Sequence, residues 1–185
     1  MRNFNKGFTL IELFVTLAVL IVLIGGIIYI SPKFISKQRL KNAAWQLLSD
    51  IKEVQERARG QLEFLKIEIY PDSNSYRFEK RKNAFSQNNS LEIVNRTLSS
   101  DVVIKSVSYS SQNSTKIAPP ISPIYFGFDE WGIPVDDSKY QIEGFLRIIL
   151  ESKSLVDSQG KNFIVEINIS PGTGRGYMDG PKPSS

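Results

Sequence analysis

Residues 7–31 read GFTLIELFVTLAVLIVLIGGIIYIS, and from Leu13 to Ser31 nineteen consecutive residues carry no formal charge. As an α-helix such a run spans about 28 Å, one bilayer crossing, at ~1.5 Å per residue. It is the sole run of this kind in the sequence, and from Lys33 onward the composition is that of a polar, turn-punctuated, water-soluble domain. The expectation is one membrane-crossing helix carrying a small head. A secretory signal peptide would have a shorter apolar region followed by small residues, whereas Pro32, Lys33 and Phe34 follow here. Tyr29, at the distal end, suits an interfacial anchor.

The chain has 185 residues, enough for one domain and an added segment. Twenty-three Lys and Arg against nineteen Asp and Glu leave a formal +4, too mild to read by itself as a nucleic-acid footprint. With no Cys there is no disulfide, thiolate nucleophile or Cys-based metal site, and with no His the commonest acid, base and metal ligand is missing. No enzymatic activity, catalytic residue or cofactor is expected.

Glu12 stands one turn inside the apolar stretch, where a carboxylate costs a few kcal/mol unless it snorkels or finds a cation. Before it lies Met1-Arg2-Asn3-Phe4-Asn5-Lys6-Gly7 and then Phe8-Thr9-Leu10-Ile11-Glu12. This resembles the type IV prepilin (class III) signal: a short basic leader, Gly before the cut, Phe after it, and Glu as fifth mature residue. The resemblance implies cleavage between Gly7 and Phe8 by a prepilin peptidase that also N-methylates Phe8. The apolar helix stays with the mature chain. It further implies that Glu12 neutralises the terminal ammonium of a neighbouring pilin during filament assembly, a charge pair in a low-dielectric medium.

Lys33, Lys37, Arg39 and Lys41 follow the span while Arg2 and Lys6 precede it. A simple positive-inside count would place the head in the cytoplasm. The leader motif implies the opposite: a cytoplasmic N-terminus and a head on the outer side of the cytoplasmic membrane, in the periplasm or at the cell surface. The four cations then face anionic headgroups or acidic surfaces of neighbouring subunits.

Past Pro32, which can kink a continuous helix, Leu40, Ala44, Leu47, Ile51, Val54 and Ala58 form one apolar stripe. Gly60 fits a C-cap, and Trp45 is assigned to packing. The stripe could be a coiled-coil seam, but packing on the head's own sheet is the simpler account. Beyond Gly60 the period becomes two. Leu65 to Ile69 and Tyr76 to Phe78 suit a hairpin about Pro71–Asn74. Further strands are expected at 91–94, 102–109, 124–128, 145–150 and 163–169. Ser86–Ser90, Ser106–Thr115 and Ala118–Pro123 read as surface loops. The expected division is a leader (1–7), a transmembrane assembly helix (8–31), an amphipathic helix (32–60), and a β head with a flexible C-terminal tail (61–185).

The Ala43-Ala44 helix, Tyr125-Phe126-Gly127-Phe128-Asp129-Glu130-Trp131-Gly132, and Ile167-Asn168-Ile169 running into Thr173-Gly174-Arg175-Gly176 resemble the GspH/FimT family of minor pseudopilins. The resemblance implies a pilin fold of class α+β, a long N-terminal helix packed on an antiparallel β-sheet. It also implies a structural subunit of a type II secretion or type IV pilus machine, with other pilins as partners. In DNA-uptake members an Arg-rich C-terminal loop contacts DNA. The matching segment here offers Arg175, with Lys182 nearby and Asp179 opposing, so DNA is the alternative partner, against a tight turn closing the sheet. Asp129, Glu130, Asp136 and Asp137 are oxygen donors suited to Ca²⁺, although a solvated hairpin loop explains them as well.

Overall fold

The computed structural model describes residues 9–27, 32–61, 64–81, 91–111, 114–118 and 123–184. The chain divides into two compact units, Met1–Ile35 and Ser36–Ser185. In the first, α1 (Leu10–Ile27) is apolar on every side, and residues from Leu10 to Val22 expose their side chains. Among the described residues no helix is long and apolar enough to cross a membrane. α1 is described to Ile27, residues 28–31 lie outside the described residues, and the described part of α2 (Pro32–Gln61) begins at Pro32. At the first position of a helix the missing proline N–H has no intrahelical partner to lose.

In the second unit the stripe on α2 is buried as expected, with Leu40, Ala44, Leu47, Val54 and Ala58 fully covered and Ile51 2% exposed. Two features of this helix differ from expectation. It runs through Gly60 to Gln61, so the glycine lies in the last turn and is no C-cap. Trp45 is 50% exposed, because at 100° per residue it falls on the face opposite Leu40 and Leu47.

Among the described residues the head holds two five-stranded antiparallel sheets where one was expected. The first contains β1 (Leu65–Tyr70), β2 (Ser75–Arg81), β3 (Leu91–Thr97), β6 (Ile124–Phe128) and β7 (Pro134–Asp136), in the order β3-β2-β1-β6-β7. The second contains β4 (Val102–Ser111), β5 (Ser114–Ala118), β8 (Leu146–Val156), β9 (Asn162–Ile169) and β10 (Gly176–Pro183), in the order β10-β9-β8-β4-β5. The chain changes sheet after β3, and β4 pairs with β8. Both sheets turn apolar faces to α2: Ile67, Ile69, Phe126 and Phe128 from one, Val107, Ile148, Val165 and Ile167 from the other share one core with the helix stripe.

The expected hairpin about Pro71–Asn74 forms, with Ile69 opposite Tyr76 and Ile67 opposite Phe78. Ser106–Thr115 is not a loop. β4 continues to Ser111 and β5 begins at Ser114, the serines alternating with buried Val107 and Tyr109. The expected loop Ser86–Ser90 lies outside the described residues, as does 119–122 of the expected loop Ala118–Pro123, whose first residue ends β5. The C-terminal tail is an edge strand, β10, paired with β9 from Gly176↔Ile169 to Pro183↔Phe163. Gly, Pro and Asp within it oppose strand propensity, and no residue of it is fully buried, so neither signal of a strand was present.

One polar tie joins α2 to the first sheet. The Tyr76 hydroxyl donates to Asp50 Oδ2 at 2.6 Å in a buried setting, and Arg96 Nε stands 3.4 Å from the same oxygen. Burial, then the carboxylate, push the Tyr76 hydroxyl far above the ordinary phenol range. In urea unfolding, Leu47→Ala should cost about 3 kcal/mol and Tyr76→Phe about 2 kcal/mol, since the buried carboxylate loses its donor. Trp45→Ala should stay within about 0.5 kcal/mol; a large loss there would mean that the indole packs against the head.

Candidate functional site

Gly7 and Phe8, the expected cleavage and methylation residues, lie outside the described residues. Glu12 sits in the first turn of α1. Its backbone N–H donates to Thr9 Oγ1 at 3.3 Å, while the Leu13 N–H donates to the Thr9 carbonyl at 3.1 Å. Thr9 is thus the N-cap and Glu12 the third helical residue, the spacing of a capping box. An anion in this turn is favoured by the helix dipole. Thr9-x-x-Glu12 was the sequence signal for it. Thr16 hides its hydroxyl on the Leu13 carbonyl at 2.8 Å, the usual way for an apolar helix to carry a threonine.

At its C-terminal end α2 clamps two turns of the head. Gln55 Nε2 donates to the Gly132 carbonyl at 2.7 Å and to the Thr173 carbonyl at 3.0 Å. Arg59 donates from Nε to the Trp131 carbonyl at 2.9 Å and from Nη2 to Thr173 at 3.3 Å, and pairs with Glu56 at 3.3 Å. The two turns are shaped for this contact. Gly132 and Gly174 have positive φ, 73° and 64°, and a Cβ would strike the Arg59 side chain at the first and the Gln55 amide at the second. The segment 172–176 is a closed turn between β9 and β10, the tight turn that the sequence set against a DNA-contacting loop. Its backbone bonds run from the Ser170 N–H to the Arg175 carbonyl and from the Gly174 N–H to the Ser170 carbonyl, both 2.9 Å.

Arg175 is exposed and its guanidinium has no ion pair among the described residues. It borders an open groove of about 670 Å³ with Lys52, Gln55, Glu56, Arg59 and Thr173. Lys182 does not join it. Its ammonium bonds Asp179 at 2.6 Å and Glu166 at 3.3 Å. The Asp179 hydrogen bond raises the lysine above its ordinary range, and the same contact lowers the Asp179 carboxyl.

Two of the four loop carboxylates are engaged by backbone. Asp129 Oδ1 accepts from the Trp131 and Ile133 N–H groups at 3.0 and 2.8 Å. Asp136, 1% exposed, accepts at Oδ1 from the Ser138 and Tyr140 N–H groups, both at 2.9 Å, and at Oδ2 from the Ser111 hydroxyl at 2.7 Å. Asp137 is exposed, and Glu130 borders a shallow site with Phe64, Trp131 and Lys139. Among the described residues no group of three or more carboxylates is placed to hold a metal ion.

The most perturbed carboxyl escaped sequence reading. On β1, Glu68 lies among Arg77 Nε, the Tyr70 hydroxyl at 2.5 Å and Lys66 Nζ at 2.9 Å. Burial raises its pKa, but the bonds from Arg77, Tyr70 and Lys66 together outweigh that and bring it from 4.5 to about 2. Tyr70 is raised to about 12 by burial and by its bond to Glu68. The adjoining dimple, about 30 Å³, has room for little more than a water molecule, so the network stiffens a sheet face. Because the folded pKa is depressed, its stabilisation is full above pH ~4.5 and is lost as pH falls toward about 2. Glu68→Gln should remove about 2 kcal/mol at pH 7 and flatten stability between pH 5 and pH 2 by that increment; an unchanged acid slope in urea titrations would contradict the network.

Residues 2–28 match a family model described as the prokaryotic N-terminal methylation motif. No curated protein and no solved structure matches the chain. The motif lies on the basic leader, Gly7-Phe8, Glu12 and α1. The chain thus carries a type IV pilin-like leader, the kind that prepilin peptidase processes and whose bearers assemble with other pilins.

Proposed function

We propose that this chain is a minor pilin or pseudopilin, a structural subunit of a type II secretion or type IV pilus machine. Prepilin peptidase cuts it between Gly7 and Phe8 and methylates Phe8. The helix that follows anchors the subunit in the cytoplasmic membrane, N-terminus inward and head outward, until it joins a filament. The observation that carries the reading is the methylation motif running directly into a helix that is apolar on every side and exposed, with Leu10 73% and Phe14 63% exposed. Such a helix needs lipid or a ring of other helices around it. Glu12, ahead of fifteen apolar or uncharged positions of α1, supplies the charge that pairs with a neighbour's new ammonium. The chain acts by association; no catalytic step is assigned to it.

The reading is tested by the mass and N-terminal sequence of the protein from its own cells. An N-methylated Phe8 terminus is expected, Gly7→Leu should leave an intact Met1 precursor, and Glu12→Ala should still reach the membrane but co-purify poorly with other pilins. An intact Met1 in the unaltered protein, in cells whose other pilins are processed, would remove it.

A second reading, a DNA-binding minor pilin of DNA uptake, is favoured by the groove that gathers Lys52, Arg59 and Arg175. Fluorescence anisotropy with duplex DNA should then show salt-dependent binding that Arg175→Ala weakens; absence of binding at low salt would exclude it.

A further inference from the structure

Six Lys and Arg stand against a single acid up to Lys41, and seventeen against eighteen beyond it. The formal +4 therefore belongs wholly to the first forty-one residues, and no Asp or Glu occurs between Glu12 and Asp50. In α2, Lys33, Lys37, Arg39 and Lys41 are all exposed, and none has an ion pair among the described residues. Helix energetics does not account for them. The first turn of α2 contains no acid, and cations near a helix N-terminus oppose its dipole. The helix that bears them is held to the head: buried Ser36 accepts the Ser154 hydroxyl at 2.8 Å, and Leu40 is fully covered. Lys37 and Lys41 share one flank at i, i+4, while Arg39 stands on the other side of Leu40.

We infer that Lys37, Arg39 and Lys41, with Lys33 one turn earlier, hold the phosphates of anionic phospholipid at the membrane face from which the head emerges. This rests on the membrane residence proposed above. A bilayer suits the arrangement better than a protein surface does. Its anionic plane accepts point charges from both flanks of a helix with no matched partner positions, and lysine supplies three of the four cations. The stretch also follows the apolar segment directly in sequence, which brings it within a Debye length of the headgroups once α1 is inserted. Headgroup binding explains why the cations lie on the outer side of the span, against the positive-inside bias.

The chain has no Cys, so Gln38→Cys, at an exposed position, can carry an environment-sensitive dye in the full-length protein. Flotation with vesicles of phosphatidylcholine alone tests insertion through α1. Adding phosphatidylglycerol tests the headgroup contact. The expected result is a dye shift that appears with phosphatidylglycerol, reverses in high salt, and falls roughly fivefold in surface-bound population for each of Lys37→Gln, Arg39→Gln and Lys41→Gln. A chain that floats while its dye ignores phosphatidylglycerol overturns the inference and leaves the membrane reading standing. One that floats with neither vesicle overturns both. A dye that answers to polyglutamate and not to phosphatidylglycerol also overturns it, and assigns the face to an acidic protein.

Discussion

The head is arranged around the burial of one stripe of α2. Leu40, Ala44, Leu47, Ile51, Val54 and Ala58 are removed from water together, each large side chain contributing about 1.5–3 kcal/mol. The head meets the demand with two sheets, whose inner faces share one core with the helix. The polar ties take their positions from that burial. Asp50 is set to receive Tyr76, and Gln55 and Arg59 are set to receive the carbonyls of two distant turns. Without the stripe these groups would have no fixed partners, and a buried carboxylate or amide left unpaired would oppose folding.

The other helix obeys the opposite rule. α1 is apolar on all sides, so no face of it is chosen for the head, and what selects its surroundings is the scarcity of charge along its length. Glu12 departs from that pattern where a capping residue and the helix dipole best tolerate an anion. The first turns of α2 carry the cationic stretch from Lys33 to Lys41. It gives the chain its entire net positive charge, while the remainder of the chain is close to neutral.

Regular alternation made β1, β2, β6, β9 and much of β8 legible before any coordinates, because a strand with one buried face must repeat every second residue. β10 was illegible for a related reason. As an edge strand with no fully buried residue, it has no face to mark, and its Gly, Pro and Asp argue against a strand. β4 was legible over 102–109, and its continuation to Ser111 was not, because the serine run there also suits a loop. Trp45 shows the limit of residue type as a guide. An indole was assigned to packing, yet its place on the helix circumference points it to solvent.

The sequence by itself determined the leader motif, the apolar segment, the amphipathic helix and the antiparallel character of the head. Each is written in residues within a few positions of one another, so a local period or a short motif suffices to read it. Tertiary structure alone decided that there are two sheets, that α2 clamps the glycine turn after β9, and that Arg175 and Lys182 act apart. Those outcomes depend on groups far apart in the chain, such as Gln55 and Gly132, seventy-seven residues distant. Their pairing is set by which backbone carbonyls are left without partners once the core has closed, a condition that no local pattern carries.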